Sequence, residues 1–174
     1  MYIFKKNQII NLILASIVPF LIWGPFFPDL IVSVSSLFFL YYSFNNNNFY
    51  YFKKKPFIIF LLFCVISSLI SLESENISLS IKSSLSYFRI GVFSCFIWYL
   101  IDRDKHILTH FYYALLLCFS ILVIDGYVQY FFGKNILGIR TFESGRISSF
   151  FGDELIMGSY LSRLFPLLFA LFLI

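Results

Sequence analysis

Three cations at six-residue steps, Lys134, Arg140 and Arg146, fall between two long apolar runs in the stretch 133–152. Arginine presents a planar fork that meets phosphate oxygens through two parallel hydrogen bonds, and lysine adds a point charge. The stretch therefore reads either as a phosphate-binding loop or as a polar connection with an ordinary share of basic residues. Lys82 and Arg89 are seven apart, two turns along one helical face. Arg163 and Asp125 each lie inside an apolar run. A charge at the centre of a bilayer costs about 2.5 kcal/mol or more unless it faces protein or water. Two readings stand for these last residues. They pair with each other, or they line a polar cavity in which arginines hold an anionic head group.

Other motifs are missing. The chain has no P-loop, no GxGxxG, no HExxH and no CxxC, so nucleotide hydrolysis, dinucleotide redox and structural zinc find no support. His106 and His110 are four apart on one helix face, but no Cys, Asp or Glu completes a metal set there. No metal and no cofactor is expected. Cys64, Cys95 and Cys118 sit in three different apolar runs and read as small packing residues.

The elements that must hold these residues follow from composition. Of 174 residues, 60% are hydrophobic and 13% charged, with a mean hydropathy of +0.86. A soluble domain carries about a quarter of its residues as charges. Three cysteines, an odd number, do not make a disulfide scaffold, and the scattered charges exclude a nucleic-acid binder. An all-α polytopic membrane protein of about six helices remains, read as a single domain over 1–174. Its spans are expected at 9–27, 29–44, 57–72, 85–101, 107–132 and 155–174; the first is close to the length that crosses the hydrocarbon core, and the second is short. Pro19 and the pair Gly24–Pro25 are expected to kink the first span, which lacks a signal-peptide cleavage site.

Basic residues set the orientation. With a cytoplasmic N-terminus, Lys5, Lys6, Lys53, Lys54, Lys55, Arg103 and Lys105 lie inside. Lys82, Lys134, Arg140 and Arg146 lie outside, which makes 133–154 an external loop. The apolar run 164–174 ends without a polar flank, so the chain is expected to continue beyond it.

The segment 125–135, Asp-Gly-Tyr-Val-Gln-Tyr-Phe-Phe-Gly-Lys-Asn, followed by 146–154, Arg-Ile-Ser-Ser-Phe-Phe-Gly-Asp-Glu, resembles the O-antigen ligase and polymerase superfamily. There a span ends in Gln-aromatic-x-x-Gly, an external loop follows, and an Arg precedes an aromatic turn and the next span. Residues 155–168 are similar to bacterial members. The resemblance implies a GT-C-like glycosyltransferase of the bacterial inner membrane, working in cell-surface polysaccharide or lipopolysaccharide biosynthesis. It would move a glycan from undecaprenyl diphosphate to lipid A–core or to another glycan, without metal or nucleotide sugar. External arginines bind the diphosphate in that family, which points to Arg146 first and Arg140 second. Lys82, Arg89 and Arg163 join them by placement, and Asp125 and Gln129 are the candidates for the polar cavity. The family's catalytic His belongs to a later periplasmic loop, past residue 174, so this chain alone is expected to be inactive. A transporter or flippase segment, or a non-catalytic membrane subunit, is the alternative.

Overall fold

The structure, a computed structural model, describes residues 2–141 and 145–173, with side chains described from Ile9 onward. The described residues form seven α-helices: α1 (Tyr2–Ala15), α2 (Ile17–Trp23), α3 (Phe26–Asn45), α4 (Lys55–Ile70), α5 (Ile77–Arg103), α6 (His106–Phe132) and α7 (Met157–Phe172). Among the described residues four stretches are long and apolar enough to cross a membrane: Phe26–Asn45, Lys55–Glu73, Ile77–Arg103 and His106–Phe132. Ile9–Trp23 and Met157–Phe172 are shorter apolar segments. Large apolar side chains stand on the outside throughout, as Trp23, Phe131 and Leu79 do. Water would penalise such a surface, whereas lipid is its natural solvent. The protein is a multi-pass, all-α membrane protein.

The expected first span is divided. Pro19 has no N–H to give to the Ala15 carbonyl four residues back, so α1 stops at Ala15 and α2 starts at Ile17. Gly24 then takes a φ of 135°, Pro25 follows, and α3 begins at Phe26. The fourth expected span is longer than its apolar run. Residues 77–84, serine-rich and easily read as a connection, form the first turns of α5.

The chain forms two compact units, residues 1–28 with 106–174, and residues 29–105. In the first, α1, α2 and α7 pack on α6. Val18, Leu115, Cys118 and Phe119 are buried there, with Tyr160 and Leu164 against them. Tyr160 Oη donates to the Val18 carbonyl at 3.0 Å.

In the second unit α4 and α5 form a tight antiparallel pair. Small residues let them approach: a Cβ added at Gly91 would lie 2.6 Å from the Phe60 ring. Ser71 and Ser84 hydroxyls meet across the pair, and Ser84 Oγ also donates to the Ser80 carbonyl at 2.8 Å. Phe39, 2% exposed, stacks among Phe52, Phe96 and Tyr99 with ring centroids within 5.6 Å. Tyr51, in the short 3₁₀ turn Tyr51–Lys53, donates its hydroxyl to Asp102 at 3.0 Å. Burial, then the hydrogen bond to Asp102, pushes the Tyr51 phenol up to about 12.

Candidate functional site

Asp125 and Gln129 are one turn apart on α6, and both are fully buried. A helix's own backbone bonds are internal, so these side chains are free to bind elsewhere. They bind the loop that follows. Asp125 Oδ1 accepts the Ile136 N–H at 2.9 Å, and Oδ2 accepts the Ser149 hydroxyl. Gln129 Oε1 accepts the N–H groups of Ser148 at 3.1 Å and Ser149 at 2.8 Å. Its Nε2 faces the carbonyls of Ile139 and Arg140 at 3.4 and 3.5 Å. One amide therefore ties both arms of the loop to the helix.

Asn135 completes the knot. Its Oδ1 accepts the Ile139 N–H at 2.7 Å, while Nδ2 donates to the Ser149 carbonyl at 3.0 Å. Every polar group of Ser149 is thus engaged, and Ser149 holds a φ of 51°. A non-glycine residue keeps that conformation only where its surroundings over-determine it, and such strain gathers at functional sites. Ser148 Oγ is the opposite case. It is buried and has no hydrogen-bond partner.

The knot fixes the cations. Residues 133–141 fold back on themselves: Asn135 N–H donates to the Ile139 carbonyl at 2.8 Å, and Thr141 N–H to the Gly133 carbonyl at 3.0 Å. Between these bonds Lys134 and Arg140 form an isolated antiparallel bridge. This is the non-hydrogen-bonded kind of pair, in which side chains come closest. Like charges placed directly opposite destabilise a ladder, so an anion between them would be favoured. Lys134, Arg140 and Arg146 are all exposed, and Arg146 lies two residues before the anchored Ser148. Residues 142–144, part of the expected loop 133–154, lie outside the described residues.

Beside the knot runs an apolar groove of about 460 Å³, lined by Gly126, Tyr127, Tyr130, Ile147, Met157 and Leu161 among others. Gly126 is fitted closely to it, since a Cβ there would come 2.8 Å from the Met157 methyl. The site thus joins an apolar slot to a basic, polar-anchored loop.

The other candidates stand elsewhere. Arg163 is exposed on α7 and does not pair with Asp125, whose oxygens are both taken by loop donors. Lys82 and Arg89 lie on α5, in the second unit. Lys82 is exposed. Arg89 makes a two-armed ion pair with Asp29 and donates to Ser33 Oγ at 2.9 Å. Asn135, Ser148 and Ser149 had no role assigned from sequence, though all three lie in the stretches that carry the family resemblance. Their partners are 4 to 24 residues away, and no periodicity marks such pairings.

No protein family, curated protein or solved structure matches the chain.

Proposed function

We propose that the chain forms part of a GT-C-like membrane glycosyltransferase, similar to O-antigen ligases, that takes a glycan from undecaprenyl diphosphate. The acceptor is lipid A–core or another glycan, and the loop 133–154 faces the periplasm of a bacterial inner membrane, with the N-terminus cytoplasmic. The observation that carries this reading is the loop itself. Lys134 and Arg140 are held opposite each other, and Arg146 follows on an arm anchored through Ser148 and Ser149 to the same Gln129. A loop that forces cations together at a buried polar anchor is suited to a diphosphate. The adjoining groove offers apolar walls to the carrier's hydrocarbon chain.

In the transfer an acceptor hydroxyl forms the new bond to the anomeric carbon while the bond to the diphosphate breaks. The leaving diphosphate gains negative charge, and fixed guanidinium groups stabilise it more than they stabilise the ground state. Residues of this chain bind and orient the carrier.

Arg146→Ala, expressed in a host lacking its own transferase, tests this reading. Loss of a charge-assisted contact costs about 1.5–3 kcal/mol, so transfer should fall roughly ten- to a hundredfold. Arg146→Lys keeps the charge, loses the fork and should also impair transfer. Unchanged transfer by Arg146→Ala at matched protein level would remove the reading.

A further inference from the structure

At one end of the second unit, a second groove opens between α4 and α5. It holds about 210 Å³ and is lined by Pro56, Phe57, Phe60, Gly91, Ser94 and Trp98, with Cys95. Three lysines, Lys53, Lys54 and Lys55, run directly into Pro56. Lys54 Nζ sits 4.0 Å over the Tyr50 ring, and Lys53 and Lys55 are exposed. Tyr51 packs edge-on against Trp98 at 5.9 Å and donates to Asp102, so this basic segment and the end of α5 share one surface. Arg103 is there too, 4.8 Å over the Tyr99 ring. Asp102 is held by Tyr51, and Asp104 follows Arg103; the cations still outnumber the acids. The first turn of α4 adds to the field, because its N-cap is Lys54 and no side chain caps its N–H groups.

An apolar slot with a cationic mouth matches a molecule with an acyl chain and an anionic head. We propose that this end of the second unit binds an anionic phospholipid, its phosphate among Lys53, Lys54 and Lys55 and one acyl chain in the α4–α5 groove. Basic clusters beside spanning helices are drawn to anionic lipid head groups. The aromatic rings hold the lysine and arginine stems at the interface, where amphipathic groups favour the boundary between head group and chain. A zwitterionic lipid fills the slot equally well but leaves the lysines without a counter-charge. The inference concerns the second unit alone and does not rest on the transferase reading.

The chain has two tryptophans, so Trp23→Phe leaves Trp98, inside the groove, as the sole reporter. The full chain is reconstituted in phosphatidylcholine nanodiscs containing brominated-chain phosphatidylglycerol or, at equal mole fraction, brominated-chain phosphatidylcholine. Phosphatidylglycerol should quench Trp98 at roughly tenfold lower mole fraction. Lys53→Gln, Lys54→Gln and Lys55→Gln together should abolish that preference. Ser94→Phe, an exposed position on the groove wall, should reduce quenching by both lipids without touching the lysines. Equal quenching by the two lipids would overturn the proposal and leave the lysines as an insertion signal only. Full phosphatidylglycerol quenching in Ser94→Phe would overturn the groove, even if the triple lysine variant failed to insert.

Discussion

In the first unit Asp125 and Gln129 reach from a helix out to a loop, whereas in the second Ser71 and Ser84 meet within a helical hairpin. Asp125 and Gln129 spend their hydrogen bonds on Ile136, Ser148 and Ser149. Ser71 and Ser84 spend theirs on each other and on carbonyls of their own hairpin. The energetic logic differs. A serine in a spanning helix can satisfy itself on the carbonyl four residues back, so its cross-helix bond adds packing more than necessity. A buried carboxylate or amide has no such refuge, and without the loop it would be left unpaired in an apolar medium. The serine seam builds a scaffold, and the Asp125–Gln129 pair positions a loop.

That comparison is broken most directly by Gln129→Leu. The N–H groups of Ser148 and Ser149 would both be buried without an acceptor, at about 1–3 kcal/mol each. Unfolding in mixed micelles should show a loss of about 3 kcal/mol, and a cysteine placed at position 146 should label faster. Ser84→Ala is the matching change in the second unit. It should cost about 1 kcal/mol or less, because Ser71 Oγ keeps its bond to the Ser67 carbonyl at 2.8 Å. Equal losses from the two substitutions would erase the distinction.

Asp125→Asn, Ser149→Ala and the double variant sharpen it at the next level. Each single change removes part of one contact, so the losses should fall short of additivity by about 0.5–3 kcal/mol. Strict additivity would mean that the Asp125–Ser149 contact does not hold the loop.

Much of this was legible from the residues. Apolar runs located the long helices, and α6 was placed within one residue of its start and at its end. The division at Ser16 was not, because hydropathy does not register the N–H that Pro19 lacks. Nor was the length of α5: 77–84 alternates Ser with Ile, Leu and Lys, and tertiary packing decides such a stretch. Asp125 stands out as an acid inside an apolar run, and Gln129 as the Gln of the Gln-aromatic-x-x-Gly pattern. Which partners they take was hidden, since Asp125 turned to the loop and not to Arg163. Loop donors 11 and 24 residues away take both its oxygens, where one reading of the sequence paired it with Arg163.

The smallest expected effect bears on the difference between anchoring and chemistry. Ser148 supplies its N–H to Gln129, but its hydroxyl is buried without a partner. An unpartnered buried hydroxyl carries a desolvation cost of about 1–3 kcal/mol, so Ser148→Ala should leave stability unchanged or raise it by about 1 kcal/mol. The backbone bond to Gln129 survives, and labelling at position 146 should match the parent. If the hydroxyl exists only to fill space, the proposed transfer should also be unchanged. If it donates to a diphosphate at the proposed Arg146 site, transfer should drop severalfold while stability holds or rises. Ser149→Ala, by comparison, should lower both together, because that hydroxyl already serves Asp125. Parallel behaviour of the two serines in both measurements would show that the loop has one structural role and no separate binding group at Ser148.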